Sequence, residues 1–109
     1  MEPVRNINIS IVIPVLGETS VLSTLLDTLQ SLDDKPLEII VVDGSDNPAI
    51  TDCCGRFACT HLNARAGRGH QMHTGALQVS GNVIWFLHAD AQPSPDSIEA
   101  IRRAVRAEW

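Results

Sequence analysis

Several kinds of residue are scarce in this chain of 109 residues: tyrosine is absent, aromatic residues make up 4%, and Lys35 is the single lysine. The net charge of −5 excludes the broad basic face that binds nucleic-acid phosphates, so we expect no nucleic-acid partner. Hydrophobic residues at 44% and charged residues at 19% exclude a disordered composition. We therefore predict one folded domain that spans residues 1–109.

Long apolar runs and paired cysteines are also lacking. No segment approaches the ~20 apolar residues that cross a bilayer, and the apolar stretch near the N-terminus lacks the basic flank of a signal peptide. Cys53, Cys54 and Cys59 are odd in number and have no CxxC spacing, which fits neither a disulfide framework nor structural zinc. We expect buried free thiols and a cytoplasmic protein without a transmembrane segment.

Apolar segments with strand character alternate with segments of helical periodicity. The predicted strands cover residues 7–13, closed by Pro14, then 37–42, 58–62 and 82–90. The predicted helices begin at Thr19 or Ser20, at Asn47–Pro48, near His70 and at Ser94–Pro95, and Met72, Ala76 and Val79 would face inward. This alternation predicts an α/β fold, a parallel open sheet of about four strands flanked by helices, Rossmann-like in type.

The segment 82–90 carries five consecutive apolar residues from Val83 to Leu87, followed by His88 and Asp90. We interpret it as a strand that is buried on both faces. Ligands of parallel sheets bind beyond the carboxyl ends of the strands, where His88 and Asp90 would then lie. The alternative is a strand that simply ends in water.

Polar loops follow three of the predicted strands, at residues 14–18, 43–46 and 88–90. Parallel strands bring such loops to one edge of the sheet, where Glu18 and Asp43 could accept hydrogen bonds from ribose hydroxyls or a base. The alternative for each acid is a helix cap or a turn.

The loop from Arg65 to Gly69 places two arginines and two glycines before a helix. Helix N-termini favour anions, so a diphosphate contact is one interpretation and a solvated loop is the other. Neither GxGxxG nor a P-loop occurs, which removes the usual signals of dinucleotide and Walker-type ATP binding. His70 and His73 are interpreted as surface residues of the helix near this site.

Asp90 is a candidate ligand for Mg²⁺ or Mn²⁺, because such sites often combine one or two carboxylates with substrate phosphates. His88 beside it could bind the metal, form a hydrogen bond or pack.

Four segments together resemble the N-terminal half of family-two glycosyltransferases of the GT-A fold. They read S-I-V-I-P-V-L-G-E at 10–18, E-I-I-V-V-D-G-S at 38–45, R-G-H-Q-M-H-T-G-A at 68–76 and L-H-A-D at 87–90. The last resembles the metal motif of one subgroup. Gly17 stands in place of the usual Asn, and His88 in place of the first acid of D-x-D.

The resemblance implies an enzyme that binds a nucleoside diphosphate sugar and a divalent metal and transfers the sugar with inversion. The implied nucleotide-sugar contacts are Pro14, Val15, Glu18, Asp43, Arg65, Arg68 and Gln71, and the implied metal residues are Asp90 and His88. The catalytic base of such enzymes lies in a C-terminal half, so we expect a fragment of a longer enzyme. The alternative is a non-catalytic nucleotide-binding module that forms a homodimer through an exposed sheet edge.

Overall fold

A computed structural model describes residues 6–108. Strands and helices alternate as β1 (Ile9–Val15), α1 (Thr19–Gln30), β2 (Glu38–Asp43), α2 (Pro48–Arg56), β3 (Thr60–Asn63), α3 (Arg68–Ala76), β4 (Val83–Phe86) and α4 (Ser97–Glu108). The four strands form one parallel sheet in the order β3-β2-β1-β4. The predicted α/β class, with four strands and four helices, is confirmed.

The sheet separates two apolar layers. The larger layer contains the odd-numbered residues of β1 and the inward-facing apolar residues of α1, α2 and α4. The smaller layer lies under α3 and is centred on Val12, Ile40 and Val42. Side chains of β1 therefore contribute to both layers, because successive side chains of a strand point to opposite faces.

Pro14 does not close β1 as predicted, since the strand continues to Val15. The oxygen of Val12 accepts from the amide of Leu87, whereas the oxygen of Val15 accepts from Gly44. The backbone groups of Pro14 thus face β4, as those of Val12 do. The last residue of β1 that pairs with β4 is Val12. The missing N–H of Pro14 consequently breaks no bond of the sheet.

The predicted helix start is confirmed for α2 and corrected for α1 and for α4, which begins at Ser97 and not at Ser94–Pro95. Asn47 caps α2 by accepting from the amide of Ala49, with Pro48 at the first helical position, as predicted. For α1 the cap position belongs to Glu18, not to Thr19 or Ser20, and its side chain makes no capping bond. Its carboxylate instead accepts from the amide of Leu16 in the turn before the helix.

The buried face of α3 consists of Gln71 and Gly75. Of the three residues predicted to face inward, Val79 packs against the smaller layer, whereas Met72 and Ala76 are only half-buried. A Cβ on Gly75 would lie 2.5 Å from Val12 Cγ1 and 3.0 Å from Val42 Cγ2. The helix therefore sits directly on β1 and β2, which a search for apolar periodicity cannot detect because glycine carries no side chain.

The prediction of a strand buried on both faces is wrong for β4. The strand ends at Phe86, its other residues are half-buried, and Phe86 is 40% exposed. Within residues 6–108, β4 pairs with β1 alone and forms one edge of the sheet. Among the described residues, no helix combines the length and apolar character that crossing a membrane requires.

Candidate functional site

An open cavity of about 350 Å³ lies at the carboxyl end of β1 and β4. It is lined by the end of β1 and the turn after it, the start of α1, the first turn of α3 and the loop after β4. The lining residues are Pro14, Val15, Leu16, Glu18, Val21, Arg68, Gln71, His88, Ala89 and Asp90. Two of the three predicted loops, 14–18 and 88–90, thus meet here, whereas the loop 43–46 lies outside the lining.

The turn after β1 is held by the loop after β2. Gly17 has φ +86°, and a Cβ there would lie 2.8 Å from Ser45 Oγ. Asn47 Nδ2 donates to the oxygen of Gly17 at 2.9 Å, and Glu18 Oε1 accepts from the amide of Leu16 at 2.8 Å. A left-handed backbone favours glycine, and asparagine next, so Gly17 suits this turn. The exposed Glu18 also lines the cavity.

Asp43 occupies a different environment from Glu18. It is buried, and its Oδ1 accepts from the amide of Ser45 at 3.0 Å and from Ser45 Oγ at 2.9 Å. Ser45 Oγ also lies 3.1 Å from Oδ2. This geometry is that of a carboxylate that builds a turn. Contact with a base, as predicted for Asp43, would require this buried side chain, which does not line the cavity, to become accessible.

Gln71 joins three segments beside the cavity. Its Nε2 donates to the oxygens of Val15 at 2.7 Å and Val42 at 2.9 Å, while its Oε1 accepts from the amide of Gly67 at 3.1 Å. The side chain is buried and ties the ends of β1 and β2 to the start of α3. Sequence reasoning missed this role, although its spacing of four residues from Gly75 marks one helix face.

The first turn of α3 presents basic groups to the cavity rim. Gly67 precedes it with φ +135°, and Arg68 is the first helical residue. Arg68 Nη1 lies 3.1 Å from His88 Nε2, which joins α3 to the loop after β4. Arg65 contacts the imidazole of His70 and does not line the cavity. Arg68 is therefore the cavity's arginine, and Arg65 lies beside it in an exposed loop.

Asp90 is exposed and lines the cavity. Within residues 6–108, no group of three or more histidine, cysteine or acidic side chains could hold a metal ion. A lone carboxylate fits Mg²⁺ or Mn²⁺ only where phosphate oxygens and water complete the shell. Asp90 suits such a shared site, while His88 Nε2 faces a guanidinium.

The three cysteines are free, as predicted. Burial first, and the neighbouring Cys53 and Asp43 next, raise the pKa of the Cys54 thiol to about 11. Burial likewise dominates the rise in the pKa of Cys59 to about 12. Both thiols are therefore protonated near neutrality, a state unsuited to nucleophilic attack.

Two apolar residues of the lining were missed by sequence reasoning. Leu16 is 57% exposed and Val21 is 38% exposed, and both face the cavity. Together they provide an apolar surface on which a flat ring can pack. The sequence signal would have been a leucine in a turn, which a search for core positions assigns to the interior.

Similar proteins were found by sequence. The chain is 35% identical over 108 residues to undecaprenyl-phosphate 4-deoxy-4-formamido-L-arabinose transferase of Yersinia pestis (strain Pestoides F), covering 89% of this chain and 32% of the relative. The protein of that name from Pectobacterium atrosepticum is 33% identical over 102 residues, with 84% and 31% covered. The chain therefore spans about a third of the length of these curated relatives.

Solved structures share the fold. Glucosyl-3-phosphoglycerate synthase from Mycobacterium tuberculosis, in complex with Mn²⁺, UDP and glucosyl-3-phosphoglycerate, matches with a TM-score of 0.73 and 20% identity, over 96% of this chain and 45% of that one. A mannosyltransferase from Pyrobaculum calidifontis, in complex with GDP-Man and Mn²⁺, matches with a TM-score of 0.73 and 22% identity, over 96% and 33%. At this identity the likeness concerns the fold, and it confirms the predicted Rossmann-like half of a GT-A fold.

The model of one protein family covers nearly the whole chain. Residues 10–109 match glycosyl transferase family 2, a range that includes every strand and every helix except the first residue of β1. The cavity-lining residues all lie within that range. The chain belongs to glycosyl transferase family 2.

Proposed function

We propose that this chain is the donor-binding part of an inverting glycosyltransferase that takes its sugar from a nucleoside diphosphate sugar. One observation carries the proposal: a single open cavity is lined by a carboxylate, an arginine at a helix N-terminus and exposed apolar side chains. These are the groups that a metal, a diphosphate and a nucleoside require.

Each part of the donor has a proposed counterpart in the cavity. The nucleoside packs on Pro14, Val15 and the exposed apolar residues, with Glu18 accepting from its hydroxyls. Arg68 and the free amides at the start of α3 receive the diphosphate, because guanidinium groups and helix N-termini both favour phosphate oxygens.

Three further predicted contacts have weaker support. Gln71 acts on the donor through the backbone that it holds in place. Asp43 is buried, and neither Asp43 nor Arg65 lines the cavity, so both would have to move to reach a donor. We propose them as contacts that form on binding.

Asp90 would hold a divalent metal, Mn²⁺ or Mg²⁺, against the diphosphate. Bound there, the ion would stabilise the negative charge that develops on the leaving diphosphate. The chain's own part is to supply one exposed carboxylate at the cavity rim. The Mn²⁺ in the complexes of the two similar glycosyltransferases supports this choice of metal.

The acceptor class follows from the relatives, which are named as transferases to undecaprenyl phosphate. We propose a polyprenyl phosphate as acceptor. A phosphate monoester has its second pKa near ~6, so its oxygen is already anionic at neutral pH. Attack on the anomeric carbon, with inversion and departure of the nucleoside diphosphate, then needs no protein base. We accordingly assign no catalytic residue in this chain.

Titration calorimetry of UDP, GDP and dTDP, each with and without Mn²⁺, tests the donor site. We expect at least one nucleotide to bind, and to bind more tightly with Mn²⁺. The proposal fails if none of the three binds under either condition.

A second candidate is a self-associating module without catalysis. The observation in its favour is the position of β4 at one end of the strand order, with Phe86 40% exposed. Light scattering with Phe86→Ser as the variant tests it. A dimer that this substitution dissociates would support the module, and a monomer at all concentrations would remove it.

A further inference from the structure

We infer that His88 is the positioning residue of Arg68: it accepts a hydrogen bond from the guanidinium and does not bind the metal. The pair joins the first residue of α3 to the loop after β4 across a distance of 3.1 Å between Arg68 Nη1 and His88 Nε2. The inference rests on the proposed function in one respect, namely that Arg68 serves the diphosphate.

The donor and acceptor roles in this pair follow from the chemistry of arginine. A guanidinium has only donors and stays protonated, so the ring nitrogen that it meets must accept. His88 Nε2 then offers its lone pair to Arg68, and the ring proton lies on Nδ1. Binding of a metal also uses the lone pair of a ring nitrogen. One lone pair cannot serve both partners, so Asp90 remains as the ligand of this loop.

Positioning matters here because Arg68 is exposed. A long exposed side chain samples many rotamers, and fixing it on a ligand costs conformational entropy. An acceptor already in place at the cavity wall restricts those rotamers before the ligand arrives, which strengthens binding without a new contact to the ligand. Both side chains line the cavity, so the restricted guanidinium lies where the diphosphate is proposed to bind. The effect is independent of the metal.

The pair can be tested without any nucleotide. Nitrogen NMR of the imidazoles in the 109-residue chain, at a pH of about 8, reports which ring nitrogen carries the proton, and His88→Ala assigns the signals. We expect His88 to carry it on Nδ1, with the Nε2 resonance moving in Arg68→Ala. A proton on Nε2, or an Nε2 resonance that Arg68→Ala leaves unchanged, overturns the inference.

A double-mutant cycle tests the consequence for binding, with UDP and GDP as probes in the presence of EDTA. We expect His88→Ala to weaken binding about fivefold, the upper end for exposed pairs, and to have no effect in the Arg68→Ala background. His88→Gln should restore binding, because its amide oxygen reaches about as far as Nε2. The control is His73→Ala. His73 is exposed on α3, the helix of Arg68, and does not line the cavity.

The outcomes separate this inference from the proposed function. A loss in His88→Ala that appears only with Mn²⁺, or that persists in the Arg68→Ala background, assigns His88 to the metal and overturns the inference. Failure of the unaltered chain to bind either nucleotide removes the donor site, and the NMR result then decides the pair by itself.

Discussion

The two ends of the sheet use polar side chains in opposite ways. At the amino end, Ser10 Oγ donates to Glu38 Oε2 at 2.6 Å, and Glu38 also accepts from the amide of Ser80. Gly81 completes the group by donating to Ser10 Oγ at 2.9 Å. At the carboxyl end, the carboxylate of Asp90 is exposed at a cavity.

The difference separates structural acids from candidate functional ones. The bonds that Glu38 accepts from Ser10 and Ser80, with the amide of Gly81 beside them, stabilise its charged form. An exposed acid beside an arginine in a cavity gives the fold little stability, since exposed charges are well solvated. We conclude that the amino end stabilises the domain and that the carboxyl end is open to a ligand.

The largest loss of stability is expected for a substitution in α3, the helix that runs between the two ends of the sheet. Gly75→Ala would place a Cβ 2.5 Å from Val12 Cγ1, and α3 would have to move off the sheet. Overpacking costs up to about 3 kcal/mol, against a gain of about 1 kcal/mol in helix propensity, so we expect a net loss of about 2 kcal/mol. Urea unfolding measures it.

Gly55→Ala is the matched control for that substitution. It lies in α2, and a Cβ there would meet nothing within 4 Å. We expect it to be neutral or to stabilise by up to about 1 kcal/mol. Equal losses in the two variants would contradict the close seating of α3.

The second effect concerns the carboxyl end alone. Asp90→Asn removes the proposed metal carboxylate from an exposed position, so nucleotide binding with Mn²⁺ should weaken about tenfold while the unfolding free energy stays the same. Calorimetry and urea unfolding measure the two quantities. Asp27→Asn, exposed on α1 outside the cavity lining, should change neither. Loss of stability in Asp90→Asn would make this acid structural and remove the contrast between the ends.

The third effect concerns the amino end alone. Burial acts to raise the pKa of Glu38, but hydrogen bonds from Ser10 and from the amides of Ser80 and Gly81 together outweigh it and lower the pKa below the ordinary 4.5. The charged form therefore stabilises the fold above pH 4.5, and this contribution is lost as the pH falls through the lowered pKa. Glu38→Gln should cost about 1 kcal/mol at neutral pH and less below that pKa.

Urea unfolding at several pH values measures the loss in Glu38→Gln. Glu99→Gln is its control, because Glu99 and Arg106 form an exposed pair at 3.5 Å on α4 and should contribute little. A constant loss for Glu38→Gln across the whole pH range would show that its charge is not what stabilises this end.

The smallest effect is expected at the thiols, which belong to neither end. With pKa values of about 11 and 12, Cys54 and Cys59 are almost wholly protonated at a pH of about 8. Thiol titration with DTNB should run at least about tenfold slower in the native chain than in concentrated guanidinium chloride. Fast labelling of Cys54 or Cys59 in the native chain would contradict this prediction and would indicate a reactive thiol away from the cavity.

Local patterns predicted the secondary structure well. Alternating isoleucines marked β1, and Asn47–Pro48 marked the start of α2, because strand faces and helix caps depend on neighbours in sequence. Errors arose where a residue distant in sequence determines the end of a strand or the buried face of a helix. Pro14 remains within β1 because β4 ends before it, and Gly75 faces inward because two valines of the sheet lie against it.

The candidate site likewise has features that the sequence predicted and features that depend on contacts between distant residues. The parallel arrangement of the strands alone predicted that the loops at 14–18, 43–46 and 88–90 would gather at one edge, and the first and last of them meet at the cavity. The environments of Asp43 and Gln71 could not be predicted, because Ser45 and the oxygens of Val15 and Val42 determine them. Leu16 was missed because its exposure depends on how the turn after β1 lies on the loop after β2.

By itself, the sequence determined the α/β class, the parallel sheet and the edge at which polar groups gather, since these follow from periodicity and from the order of the elements. Tertiary structure alone decided which acids are used internally and which face the cavity. It also decided that His88 meets Arg68, 20 positions away in the chain. The physical reason is that a hydrogen bond depends on atoms within about 3 Å of each other, and only the packed fold brings residues so distant in sequence to that separation.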